Sequence, residues 1–478
     1  MQDTSTHYRY DPTSDHAEAF IHDGEIRETL QEAERLSRDR QAIRRILDKA
    51  AEMRGLDHRE AAVLLLMDEP DLIAELGELA RRCKEQYYGR RIVMFAPLYL
   101  SNYCINGCTY CPYHRQNKDI PRRKLTQEEI RHEVIALQDM GHKRLALEAG
   151  EHPAYNTMDY YLESLETIYS IKHDNGAIRR ANINIAATTV ENYRQLHDAG
   201  IGTYILFQET YHKPTYEELH PSGPKSDYIY HTEAMDRAMD GGIDDVGLGV
   251  LFGLNLYAYD FVGMLMHAEH LEAKYGVGPH TISVPRICPA DDIDVDDFDN
   301  AIPDDIFLKI IAILRLAAPY AGMIISTRER TEVRAAALKL GISQLSGGSR
   351  TSVGGYVEHI EEDSAQFDVS DQRNLDEVVG WLMDLGHIPS FCTACYREGR
   401  TGDRFMTLVK NGQIANICQP NALMTLQEYL EDYASPETRL KATGLFEREL
   451  STIPHDTIRS KTTERLTEIR AGGRDFRF

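Results

Sequence analysis

Six of the eight cysteines in this 478-residue chain fall into two groups of three. The first group, Cys104, Cys108 and Cys111, reads C-I-N-G-C-T-Y-C, which puts three thiolates on one short loop. Three thiolates can wrap one face of a four-iron cluster and leave its fourth iron without a protein ligand. An open iron of that kind can bind a substrate or cosubstrate. Zinc would need a fourth ligand, and His114 is close enough in sequence to supply one. The second group, Cys392, Cys395 and Cys418, reads C-x2-C-x22-C and repeats the arithmetic of three ligands and one open corner. Here the nearest fourth ligand for zinc is His387, at an untypical place. Cys83, in a polar helical stretch, and Cys288, after an apolar run, read as packed thiols.

Such ligands need a scaffold. Apolar runs of strand length occur at 92–97, 144–149, 182–188, 204–208, 246–252, 281–285, 323–327 and 342–345. Amphipathic stretches such as QEEIRHEVIALQDM (127–140) separate most of them. Eight strands alternating with helices describe an α/β chain folded as a (β/α)8 TIM-type barrel. The charged, amphipathic segment before it forms an N-terminal helical extension, and the tail is mostly polar and helical. The expected division is residues 1–75, 76–370 and 371–478. Polar segments gather after the strands, where barrel enzymes build active sites. They include Gly150-Glu151-His152-Pro153, Gln208-Glu209, and Ser326-Thr327-Arg328. Arg328 carries a planar fork suited to a substrate carboxylate, with an ion pair to Glu329 as the alternative.

Composition removes other classes. Lys and Arg number 53 against 76 Asp and Glu, a net charge of −23, which argues against nucleic acid or anionic membrane as the main partner. No run could span a bilayer and no signal peptide is visible, so the expected compartment is a reducing cytoplasm. The aspartates at 291–299 start like a calcium loop, but Asp297 and Pro303 stand where glycine and glutamate are needed. Pro224 interrupts the Gly-Lys step that a phosphate-binding loop requires.

The Cys-x3-Cys-x2-Cys motif, with Tyr110 before its last cysteine, resembles the radical S-adenosylmethionine signature. That resemblance implies a 4Fe–4S cluster on Cys104, Cys108 and Cys111. Its open iron would be chelated by the amino and carboxylate groups of S-adenosylmethionine, whose reductive cleavage gives a 5′-deoxyadenosyl radical. Gly150-Glu151 resembles the segment that receives the ammonium of that cosubstrate, although Ala149 replaces its first glycine. Gln208 and Glu209 match positions that contact its ribose and sulfonium region, and 246–254 offers surface for adenine beside Tyr110.

The stretches IAATTVENY (185–193), QETYH (208–212), HPSGPKSDY (220–228), GMLMHAEHLE (263–272) and ISTRER (325–330) resemble the superfamily's tyrosine and tryptophan lyases. Such enzymes anchor an amino acid by its carboxylate, here implying Arg328 with Thr327 and Ser326, and break its Cα–Cβ bond. With the C-terminal cysteines added, the chain is similar to the tyrosine-cleaving maturases of FeFe-hydrogenase. The similarity implies cleavage of L-tyrosine to p-cresol and dehydroglycine, then conversion of the latter to carbon monoxide and cyanide. It implies an auxiliary 4Fe–4S cluster on Cys392, Cys395 and Cys418, carrying an additional iron with L-cysteine. That iron would leave as an Fe(CO)(CN)–cysteine synthon. His270, or His267 one helical turn away, is the expected ligand of the additional iron. The implied partners are an electron donor such as ferredoxin or flavodoxin and the pathway proteins HydF and HydE. A thiamine-pathway tyrosine lyase (2-iminoacetate synthase) is the alternative, and a non-catalytic iron–sulfur carrier a more distant one.

Overall fold

The computed structural model describes residues 8–358 and 364–478. Eight parallel strands close into a barrel: β1 Arg91–Ser101, β2 Arg144–Ala149, β3 Arg180–Asn184, β4 Tyr204–Ile205, β5 Val246–Gly249, β6 Thr281–Ser283, β7 Gly322–Ile325 and β8 Gln344–Ser346. Closure is made by β8 on β1, with Val93 opposite Gln344 and Phe95 opposite Ser346. All eight expected strands are present. Most are shorter than their apolar runs, because residues past each C-terminal end turn into site loops. The third differs most, starting at Arg180 and ending at Asn184, with Thr188 and Thr189 absorbed in capping helix Val190–Asp198.

The tail contributes a ninth strand that the sequence does not announce, β9 Ile388–Ser390. It pairs in parallel with the first residues of β1, Arg91 to Val93, on the edge that β2 takes over from Ala96 onward. Three residues containing a proline carry too little periodicity to read as a strand. The rest of the tail is helical, with Ala415–Asp432 the longest piece.

Shell helices follow their capping chemistry. Thr126 and Glu129 form a reciprocal capping box at the start of Gln127–Asp139. The N-terminal helices Asp23–Leu36, His58–Leu66 and Pro70–Tyr88 pack on shell helices Tyr257–Tyr275 and Asp304–Ala317. Cys83 is packed there as expected, its thiol donating to the Arg315 carbonyl at 3.4 Å. Among the described residues, no helix is long and apolar enough to cross a membrane.

One buried ion pair ties the barrel mouth together. Arg334 is wholly buried, and its guanidinium bonds the Asp371 carboxylate and the Ser346 carbonyl. Ser370 and Asp371 donate backbone N–H groups to the Thr327 carbonyl at 2.9 and 3.2 Å, fixing the segment that carries Gln366 and Phe367 across the mouth. Burial works against the Asp371 charge, yet Arg373 and Arg334 hold its carboxyl below the usual range. Replacing Asp371 with Ala strands a buried cation. Chemical unfolding should show a loss of about 3–5 kcal/mol, against under 1 for an exposed pair such as Arg35–Glu32.

Candidate functional site

At the C-terminal mouth of the barrel, Cys104, Cys108 and Cys111 line a cavity of about 150 Å³ together with Tyr110, Gly150, Glu151, Glu209 and Lys225. The loop carrying the cysteines has little secondary structure of its own and is held by side chains. Arg122 spreads its guanidinium over four of its carbonyls: Asn102 at 2.7 Å, Tyr113 and His114 at 2.8 Å, and Asn117 at 3.1 Å. Asn106 donates to Glu151 Oε2 at 2.7 Å, and the Ile105 N–H donates to the Glu151 carbonyl at 2.8 Å. A Cβ on Gly150 would stand 2.5 Å from the Tyr103 carbonyl and 3.0 Å from Cys104 Cβ, so only glycine fits between the two loops.

The electrostatics favour bound metal. Burial pushes the Cys108 thiol far up and the Cys111 thiol to about 12, so neither ionises without a compensating cation. Iron supplies it. Among the described residues no three acidic, His or Cys side chains converge on a single bare ion.

Of the residues singled out beside the cysteines, Tyr110, Gly150, Glu151 and Glu209 line this cavity. Tyr110 meets His220 Nε2 at 2.7 Å, which fixes its ring as one wall. Glu209 adopts φ 69° and pairs with Lys225 Nζ at 2.8 Å. Lys225, in the HPSGPKSDY stretch, was not singled out in the sequence because nothing there says that the loop folds back over the cluster. Gln208 is a correction. Its side chain points out of the barrel and donates to Thr232 Oγ1 at 2.9 Å, because strand alternation sends Phe207 and Glu209 inward and Gln208 outward. Of 246–254, Leu251 reaches the cavity.

Below this cavity lies a second of about 100 Å³, lined by Phe95, Pro97, Ala146, Ile205, Ser283, Ser326, Thr327, Arg328 and Phe367. Arg328 opens onto both cavities, stacked on the Phe367 ring. Glu329 turns instead to Arg286, so the expected alternative of an Arg328–Glu329 pair is not formed. Among the described residues no carboxylate lies within ion-pair distance of Arg328. Cys288 lines the upper cavity and donates weakly to the Arg286 and Arg328 carbonyls.

The opposite end of the barrel holds a third cavity, of about 90 Å³, lined by Cys392, Cys395 and Cys418 with Arg91, Arg144, Arg180, His280 and Tyr396. Arg144 Nη2 donates to the Cys392 carbonyl at 2.8 Å, and Arg180 stacks on Tyr396. Burial raises the Cys392 thiol to about 11, whereas Cys395, hydrogen-bonded to Cys418, is drawn down. Arg144 Nε and Arg180 Nη1 are buried without hydrogen-bond partners. Unpaired buried donors are costly, and a ligand carrying negative charge would satisfy them. An anionic iron–sulfur cluster on three thiolates fits that donor set.

His267 and His270 do not reach this cavity. They sit on shell helix Tyr257–Tyr275, outside the barrel, facing the N-terminal extension. His270 stacks on Phe20 at 3.7 Å and spends both nitrogens, on Asp236 at 3.0 Å and the Pro12 carbonyl at 2.8 Å. His267 bonds Tyr211 at 3.0 Å. The histidine that does line the cavity is His280, just before β6. It meets Tyr396 at 3.0 Å and Asp245 at 3.3 Å, and burial lowers it to about 4, which keeps its imidazole neutral.

The three cavities are stacked along one axis. Val93, Arg144, Gly322 and Gln344 line the lowest, and two residues further along the same strands Phe95, Ala146, Ile324 and Ser346 line the middle one. Tyr99 and Glu148, higher still, line both the middle and the upper cavity. A barrel with a cysteine triplet at its C-terminal mouth, walled by glycine, glutamate and an aromatic, has the fold and site of a radical SAM enzyme.

Comparison with known proteins agrees. The radical SAM superfamily profile matches residues 98–258, and the biotin and thiamin synthesis associated domain matches 283–388. The 2-iminoacetate synthase of Salmonella typhimurium is 30% identical over 344 residues, covering 72% of this chain and 89% of that protein. A crystal structure of HydG, described as a maturase of the FeFe-hydrogenase, superposes with TM-score 0.93 at 53% identity, covering 96% of this chain and all of that one. HydG from Carboxydothermus hydrogenoformans gives 0.82 at 39%, covering 94% and 99%. The chain belongs to the radical SAM tyrosine-lyase family that contains 2-iminoacetate synthase and HydG, and it is a carbon–carbon lyase of that family. Membership implies a 4Fe–4S cluster and S-adenosylmethionine.

The packing at Gly150 yields a direct test. Gly150→Ala should force the Cys104 loop outward and lower cluster occupancy at the C-terminal mouth. Iron content and the electron paramagnetic resonance of the reduced protein should both fall, and unchanged values would mean that the loop yields freely.

Proposed function

We propose that this lyase cleaves L-tyrosine to p-cresol and dehydroglycine, converts dehydroglycine to carbon monoxide and cyanide, and releases both on iron with cysteine for FeFe-hydrogenase maturation. The observation that carries this reading is the second cysteine pocket at the far end of the same barrel lumen. A lyase that discharged dehydroglycine to solvent would have no use for it. Two further findings support it. The match to 2-iminoacetate synthase leaves more than a quarter of this chain uncovered, and the HydG structures cover nearly all of it.

The residues divide the work by position. Cys104, Cys108 and Cys111 would hold the first cluster, and Glu151, Lys225 and Glu209 offer opposite charges to the amino and carboxylate ends of S-adenosylmethionine. With that group bound, the upper cavity supplies a carbon radical able to take a hydrogen atom from the substrate. Arg328, with no carboxylate partner among the described residues, holds the tyrosine carboxylate beside Ser326 and Thr327. The apolar middle cavity takes the ring and excludes water. At the lower end Cys392, Cys395 and Cys418 would hold an auxiliary cluster, and His280, which lines that cavity, would exchange its Tyr396 contact at Nε2 for an added iron, the role first assigned to His267 or His270. Arg144 and Arg180 receive the carboxylate of the incoming fragment. An external one-electron donor, HydF and HydE complete the pathway on this reading.

Anaerobic reconstitution with reductant, S-adenosylmethionine, L-tyrosine and L-cysteine tests it. The expected products are p-cresol, carbon monoxide and cyanide. Cresol with glyoxylate but neither diatomic product would favour a thiamine-pathway lyase, the reading to which the 2-iminoacetate synthase match points. Replacing Cys392 and Cys395 together with Ser should spare cresol formation and abolish carbon monoxide. Loss of cresol in a folded double variant would overturn the division between the two ends.

A further inference from the structure

Arg328 answers one charge of an amino-acid zwitterion, and the lumen contains an answer to the other. Glu148 is the penultimate residue of β2, in register with Tyr99 on β1 and Asn184 on β3. Partners in register on parallel strands point to the same face, and all three line both the upper and the middle cavity. Arg328 and Gln366 are the other polar residues lining both cavities, and Tyr99 donates to Gln366 Oε1 at 2.8 Å. The boundary between the cosubstrate cavity and the apolar substrate cavity therefore carries one guanidinium and one carboxyl. Among the described residues, neither makes a salt bridge.

We propose that Glu148 receives the α-ammonium of the amino-acid substrate and takes up one of its protons, while Arg328 holds the carboxylate. The inference rests on the tyrosine-lyase reading and adds to it the group that sets the protonation of the substrate amine. With the head group spanning Glu148 and Arg328, the nitrogen lies at the boundary of the upper cavity and the ring enters the middle one.

Protons balance as follows. In the free protein burial pushes the Glu148 carboxyl up to about 8, opposed by the Asn184 amide and by Arg328. The other titratable groups facing it are Tyr99 on β1 and Tyr113 on the cysteine loop, both kept neutral by burial. At pH 7 the site thus presents a carboxylic acid to an ammonium. Binding releases one proton to solvent and leaves one proton shared between the carboxyl and the nitrogen. When that proton sits on Glu148, the substrate amine is neutral, and no second cation stands beside Arg328. The competing arrangement buries an ion pair in a largely apolar lumen, which desolvation disfavours.

Calorimetry of L-tyrosine binding to the protein loaded with clusters and S-adenosylmethionine, repeated in two buffers of different ionisation enthalpy, counts the released protons. The expected result near pH 7 is close to one proton for L-tyrosine. For 3-(4-hydroxyphenyl)propanoate, which lacks the amine, it is none. Affinity for tyrosine should rise about tenfold per pH unit between 6 and 8 and then level off, because the free acid must lose its proton to form the complex. Glu148→Gln, close in shape, should bind S-adenosylmethionine with unchanged iron content. It should release no proton, show a flat pH profile over that range and cleave tyrosine at least about 100-fold more slowly. Tyrosine binding without proton release, or the same release in Glu148→Gln, would overturn the assignment. Failure of the wild-type protein to bind tyrosine at all would instead overturn the substrate reading beneath it.

Discussion

Strand β1 is the member on which the architecture depends. It closes the barrel against β8, starts it against β2, and lends its first three residues to β9 from the C-terminal segment. Its inward residues run from Arg91 and Val93 in the lowest cavity through Phe95 and Pro97 to Tyr99 in the uppermost. One strand thus serves both ends of the lumen. Because β9 leads directly into Cys392, the register of three backbone pairs sets where the second cysteine group stands relative to the first. A slip by one residue would turn that side-chain column away from the lumen.

Charge is organised against the molecule's overall balance. The chain carries −23, yet its lowest cavity is edged with the cations Arg91, Arg144 and Arg180, while in the uppermost Lys225 and Arg328 stand against Glu148, Glu151 and Glu209. Burying guanidiniums costs free energy unless partners meet them, and Arg315 shows the structural solution, with backbone carbonyls filling the fork. Arg144 and Arg180 keep unpaired nitrogens beside three cysteines.

Much of this was legible in the sequence, for identifiable reasons. Thiolate spacing survives folding, because a cluster is gripped by a loop whose length matters more than its path. The eight strands were legible because a barrel buries both faces of its sheet and so writes continuous apolar runs. Orientation was not. The i, i+3 spacing of His267 and His270 correctly put both on one helical face, but nothing local says which layer that face meets, and in this shell it meets Phe20. Gln208 failed for the complementary reason: adjacent residues on an extended strand cannot both face inward, and the sequence does not choose between them.

Glu148 shows a different limit. A glutamate in LALEAGE sits inside an apolar strand run without saying which way it faces, because alternation reports only that successive side chains diverge. In a closed barrel the polar member can be the inward one wherever a ligand supplies the missing partner. The same holds for His280, a lone histidine just before a strand, where the lumen begins. Charged residues at the inward positions of a barrel are therefore informative only when their neighbours are known. Here Tyr99, Asn184 and Arg328 make one of them a recognition element for a zwitterion. The Tyr396 hydroxyl and the Asp245 carboxylate orient the other as a neutral imidazole among thiols.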